Sequence, residues 1–128
     1  MLEENSGSII HITSIHSRLT KNGFSAYSTS KSALTNLTKS LSIELGNKVR
    51  VNAIEPAAID TDMLREGFKK NKLAFTQLNE FHPTGSIGNP EDVLRSVIFL
   101  LDPSNKFLNG CILSLSGGIH NRLFDPIE

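Results

Sequence analysis

The sequence predicts an α/β fold: a parallel sheet of about three strands in the order β-α-β-α-α-β, half of a doubly wound domain. Three observations predict it. A β-branched run, Ser8-Ile9-Ile10-His11-Ile12-Thr13-Ser14, precedes a long stretch free of glycine and proline, from Phe24 to Leu45. A second run, Val49-Arg50-Val51-Asn52-Ala53-Ile54-Glu55, follows that stretch at once. A third, Gly110-Cys111-Ile112-Leu113-Ser114-Leu115, comes after another helical segment and closes on Gly117-Gly118. Strand, helix and strand joined by short turns make a right-handed βαβ unit with parallel strands. Parallel sheets bury both faces, and three strands with about four helices supply thin cover for two.

The first strand follows Gly7 and is rich in β-branched residues. Residues 15 to 23 read as a loop, with Asn22-Gly23 as the breaker. In the long helix, Leu34, Leu37, Leu41 and Leu45 recur at helical spacing and mark an apolar face. Ser25 or Ser28 is placed to cap its start, and Gly46-Asn47 to end it. Pro56 stops the second strand. Asp60 or Thr61 caps a short helix through Lys69-Lys70, and residues 71 to 88 read as loop or weak helix. Pro90, with Glu91 and Asp92 in the first turn, opens a helix that stops before Asp102-Pro103. The tail from His120 to Glu128 extends past the last strand.

The 128 residues suffice for one domain, read as a single partial domain over residues 1–128. Lys and Arg total 13, as do Asp and Glu, and this balance argues against a nucleic-acid or anionic-membrane binder. With 38% hydrophobic and 20% charged residues the chain suits a globular protein and not a disordered one. One cysteine, Cys111, excludes an internal disulfide and reads as a buried small hydrophobe. The four histidines, His11, His16, His82 and His120, show no metal-ligand spacing. The polar, acidic start is unlike a signal peptide, and no run has the length of a membrane span, so a cytoplasmic setting is expected.

The chemistry gathers on one tyrosine. Tyr27, the only one, stands four residues before Lys31, and on a helix both lie on one face. A lysine ammonium beside a phenol favours the phenolate, which suits the tyrosine to exchange a proton. Ser14 ends the first strand, at the carboxyl edge where parallel sheets place ligands. His16, two residues on, is placed to face a substrate.

These residues resemble the short-chain dehydrogenase/reductases. That family carries a strand ending in serine, a loop, and Tyr-x-x-x-Lys on a long helix, matched here by Ile12-Thr13-Ser14 and Tyr27-Ser28-Thr29-Ser30-Lys31. Its Val-Asn strand and Pro-Gly-x-Ile-x-Thr run resemble Val51-Asn52 and Pro56-Ala57-Ala58-Ile59-Asp60-Thr61. Its late helix start resembles Gly88-Asn89-Pro90-Glu91-Asp92, and its closing strand Gly110 to Gly118. The similarity runs over nearly the whole chain.

The resemblance implies the C-terminal half of a Rossmann-like sheet and hydride transfer between NAD or NADP and a small carbonyl or alcohol substrate. Tyr27 would be the proton donor or base, Ser14 would orient the carbonyl oxygen, and Lys31 would assist Tyr27 and hold the nicotinamide ribose. Pro56, Ile59 and Thr61 would line the nicotinamide, and residues 62 to 82 would cover the substrate. The family's glycine-rich phosphate-binding turn and its N-terminal half have no counterpart here, so a truncated oxidoreductase is expected. Ala57 stands for the usual glycine and Ser116 for the usual aspartate. A homo-oligomer, or pairing with a longer family member, is the implied assembly. The alternative is a non-catalytic fragment or interaction partner of such a protein.

Overall fold

The computed structural model describes residues 6–123 and Asp125. Three parallel strands, β1 (Ser8–Ile12), β2 (Arg50–Pro56) and β3 (Ile112–Leu115), form a sheet in that order. β1 pairs with β2 from Ser8↔Arg50 to Ile12↔Ile54, and β2 with β3 from Ala53↔Ile112 to Pro56↔Leu115. Four helices connect them: α1 (Ser25–Glu44), α2 (Asp62–Phe68), α3 (Lys72–Phe81) and α4 (Pro90–Leu101). The expected α/β class, strand order and parallel sense are what the structure has.

β2 is the core. Val51 through Pro56 are all buried, as a strand with two neighbours and two covered faces must be. Its side chains alternate between the helical layers. Val51, Ala53 and Glu55 face α1, which packs on the same side as His11; the His11 ring bonds the Thr38 hydroxyl at 2.9 Å. Arg50 reaches α4 and donates to the Leu100 carbonyl at 2.9 Å. Leu100 is fully buried and Val49 nearly so.

The start of β2 is latched to the loop before β3 by two asparagines. Asn52 Nδ2 donates to the Leu108 carbonyl and its Oδ1 accepts from the Cys111 amide, each at 2.9 Å. Asn109 Oδ1 accepts from the Val51 amide, and its Nδ2 donates to the Ser42 carbonyl at the end of α1. After β3 the chain turns on Gly117, whose φ of 54° and tight approach to Thr84 Oγ1 (2.5 Å from an added Cβ) leave no room for a side chain.

Some local expectations change, and some alternatives left open in the sequence are decided. Three of the four stripe leucines of α1, Leu34, Leu41 and Leu45, are half-buried beside the buried Thr35 and Thr38, whereas Leu37 is 47% exposed and lies off the inner face. Neither Ser25 nor Ser28 caps α1. Its N-cap is Phe24, without a side-chain bond, and Ser28 turns back to the Ser25 carbonyl. Thr61, not Asp60, caps α2. Residues 72 to 81, within the segment read as loop or weak helix, form α3, because the Asn71 side chain accepts from the Ala74 amide and starts the turn. Asn89 and Asp92 make a reciprocal capping box on α4. Cys111 is only half-buried. Phe124 and Pro126 of the expected tail lie outside the described residues.

Among the described strands β1 and β3 each pair on one edge only, with β2. On α4, Leu94, Ile98, Phe99 and Leu101 stay about half exposed. No helix of the described residues is long and apolar enough to cross a membrane.

The asparagine latch yields a test. Asn52→Ala removes two hydrogen bonds and leaves the half-buried Cys111 amide unpaired, while the Leu108 carbonyl keeps only the longer bond from Arg50 at 3.4 Å, and it should cost at least about 1 kcal/mol of unfolding free energy. Urea denaturation of the two proteins checks it; unchanged stability would show the latch to be idle.

Candidate active site

The site is built from the carboxyl end of β1 outward. Thr13, just past the strand, donates its amide and its hydroxyl to the Ile54 carbonyl, at 2.8 and 3.0 Å. That double bond fixes where the chain leaves the sheet. Ser14 follows, 7% exposed, and caps a single 3-10 turn, Ile15–Ser17. Its Oγ accepts from the His16 amide at 3.2 Å, which leaves the hydroxyl proton available to a ligand. Ser14 and Pro56 each lie two residues beyond the paired Ile12↔Ile54, so they stand at neighbouring strand ends.

Tyr27 and Lys31 come from the first two turns of α1. Lys31 Nζ donates to the Ile12 carbonyl at 3.0 Å and lies 5.7 Å from the Tyr27 ring centroid. The helix thereby presents the phenol and the ammonium at the end of β1, beside Ser14. Tyr27 is 43% exposed and open to a ligand. The neighbouring hydroxyls are engaged elsewhere: Ser30 donates to the Tyr27 carbonyl and Ser32 to the Ser17 carbonyl. The Ser32 bond ties α1 to the serine loop.

His16 forms the wall of this corner. Its ring stacks on Phe24, centroids 4.7 Å apart, and meets Tyr27 edge-on at 5.5 Å. Its Nδ1 bonds the Thr20 hydroxyl at 3.1 Å. Burial, and then the Lys21 ammonium, hold its pKa below the ordinary histidine value, which favours the neutral imidazole.

The structure brings Ser14, Tyr27, Lys31 and Pro56 to one edge. Ile59 and Thr61 lie farther along the chain. Ile59 bridges to Gly88, and Thr61 Oγ1 accepts from the Leu64 amide at 3.2 Å. Among the described residues no hydrogen bond joins either to Ser14, Tyr27 or Lys31. The segment expected to cover a substrate consists of α2 and α3, joined through Phe68 and Phe75, whose rings meet at 5.7 Å. Lys69, past the end of α2, pairs with Glu66 at the surface. Ser116, at the position of the family's aspartate, bonds the His120 ring.

Sequence reasoning missed the support beneath the site. Glu55 is 1% exposed, at the carboxyl end of β2. Arg18 Nε and Nη2 both donate to it, Ser17 donates at 2.6 Å, and Ser114 of β3 at 3.3 Å. Arg18 Nη2 also donates to Ser114 Oγ at 2.7 Å. One buried carboxylate therefore binds the loop after Ser14 to β2 and β3. The only local signal was an acidic residue at the end of the second strand run, directly before Pro56.

The comparisons fit this geometry. A family model described as enoyl-(acyl carrier protein) reductase matches residues 1–120. An uncharacterized oxidoreductase of Schizosaccharomyces pombe is 40% identical over 114 residues, 88% of this chain and 44% of that protein. Carbonyl reductase [NADPH] 2 of Sus scrofa is 38% identical over 113 residues, 88% of this chain and 46% of that protein. Among solved structures, the ligand-free aldohexose dehydrogenase of Thermoplasma acidophilum superposes with a TM-score of 0.87 at 32% identity. That match covers 94% of this chain and 50% of the dehydrogenase. The chain belongs to the short-chain dehydrogenase/reductase family. It spans about half the length of the curated relatives it matches.

The Glu55 network makes an asymmetric prediction. Arg18→Met strands a buried carboxylate and should cost about 3–5 kcal/mol. Glu55→Gln should cost clearly less, because Arg18 is 52% exposed and can be hydrated. Paired urea titrations read the difference, and equal losses would contradict the account.

Proposed function

We propose that this chain carries the catalytic, substrate-side half of a nicotinamide-dependent oxidoreductase acting on a small carbonyl or alcohol. One observation carries the reading: the Lys31 ammonium, anchored to the Ile12 carbonyl at 3.0 Å, stands beside the Tyr27 ring at the strand end that bears Ser14. In reduction, Ser14 donates a hydrogen bond to the substrate's carbonyl oxygen and orients it. Tyr27 gives that oxygen its proton as the carbonyl carbon accepts a hydride, and the product is the alcohol. The reverse direction uses Tyr27 as the base. A bound NADH or NADPH supplies the hydride.

The donor chemistry supports a nicotinamide riboside at this edge. Lys31 has three N–H donors and spends one on Ile12, leaving two for ribose hydroxyls. The Thr61 hydroxyl accepts from the Leu64 amide and keeps its proton for a carboxamide. Pro56, buried at the end of β2, and Ile59 offer apolar surface to the ring. The described residues include no glycine-rich turn opening a helix, so the pyrophosphate has no cradle among them.

A second reading has its own support. The unpaired edge of β1 and the half-exposed Leu94, Ile98, Phe99 and Leu101 of α4 suit a chain that pairs with a longer family member. In that reading the catalytic residues are inherited and idle.

The redox reading is tested in the natural polypeptide that carries this sequence, by loss of reduced-nicotinamide absorbance over a panel of carbonyl substrates. Tyr27→Phe should lower kcat by at least about 100-fold, the usual reach of a general acid. Turnover that ignores Tyr27→Phe would overturn the proposal.

A further inference from the structure

A cleft of about 230 Å³ begins at the residue after Ser14. Its apolar walls are Ile15, Leu19, Phe81 and Ile119, drawn from the serine loop, the end of α3 and the turn after β3. His16 connects it to the site, since the same ring lines the cleft and meets Tyr27 edge-on. The cleft therefore adjoins, across His16, the corner that holds Tyr27.

Among the described lining residues of the cleft the charge has one sign. Lys21 and Arg122 carry it, and none of the described lining residues is acidic. Both cations are held over aromatic faces: Lys21 Nζ lies 4.5 Å from the Phe24 centroid, and the Arg122 guanidinium 5.1 Å from that of Phe81. Arg122 Nη1 also donates to the Phe81 carbonyl at 2.9 Å. Two cations thus stand beside apolar walls, and His16 favours its neutral form. The field of Lys21 reaches the His16 imidazole, which it helps to keep neutral.

We infer that the cleft selects a short apolar substrate with an anionic end, an oxo or hydroxy acid whose carboxylate lies between Lys21 and Arg122. This rests on the reading of Ser14, Tyr27 and Lys31 as the reacting end. The apolar walls hold the hydrocarbon part, and the cations pair with the carboxylate through charge-assisted bonds. The volume sets the size, since drug-sized ligands fill about 300–1,000 Å³ and this cleft falls below that range.

The test is binding of octanoate and octanol to the full chain, without cofactor, followed by amide chemical shifts. Octanoate should saturate, shifting the amides of Leu19, Phe81 and Ile119, with affinity at least about tenfold above octanol, or 1.4 kcal/mol. Lys21→Met, which removes no hydrogen bond seen in the structure, and Arg122→Met should each weaken octanoate and leave octanol unchanged. Arg122→Lys should restore part of the octanoate affinity. Failure to bind, equal affinity for the two probes, or octanoate binding that ignores both methionine variants would overturn the inference. Octanoate binding needs no hydride, so it fails only with the cleft, whereas the Tyr27→Phe comparison fails only with the redox reading.

Discussion

One constraint governs the molecule: a parallel strand with two neighbours has both faces and both edges inside the protein, and everything it carries must be satisfied there. β2 is that strand. Its apolar residues fill the core, and its three polar residues are each used: Arg50 reaches the end of α4. Asn52 closes the loop before β3, and Glu55 gathers Arg18, Ser17 and Ser114. An unpaired carboxylate or amide at either place would cost more than most single contacts contribute.

The site follows from where those ties fall. Thr13 is pinned to Ile54, and the loop after Ser14 is held to Glu55 through Ser17 and Arg18. From the helix side, Lys31 reaches Ile12 and Ser32 reaches Ser17. The side chains of five residues, Thr13, Ser17, Arg18, Lys31 and Ser32, thus bracket the serine turn. Catalytic groups need such support, because a proton donor misplaced by about 1 Å can lose two orders of magnitude in rate. The aromatic corner of Phe24, His16 and Tyr27 then shapes what can approach.

Much of this was legible in the sequence, and the boundary is physical. β-branched runs and a helix without glycine or proline declare strands and helix because their signals are local. Pro90 with Asn89 and Asp92 declares a helix start for the same reason. Ser14, Tyr27 and Lys31 stood out because their spacing is chemical as well as structural. The inner face of α1 was only partly legible: Leu34, Leu41 and Leu45 lie beside it, but Leu37 fits the apolar period and stays exposed, while the sheet meets Thr35 and Thr38. Arg18 and Glu55 are 37 residues apart, and Arg18 and Ser114 are 96 apart, so no local pattern links them. The pairing of Lys21 and Arg122 across one cleft likewise needs the fold.

The most direct measurement is a titration of NADH and NADPH into the natural polypeptide that carries this sequence, followed by reduced-nicotinamide fluorescence, for the unaltered protein and for Lys31→Met. The account predicts saturable binding of at least one nucleotide, weakened when the ammonium beside Tyr27 is removed. Absence of saturation for both nucleotides into the millimolar range, or saturation indifferent to Lys31→Met, would contradict it.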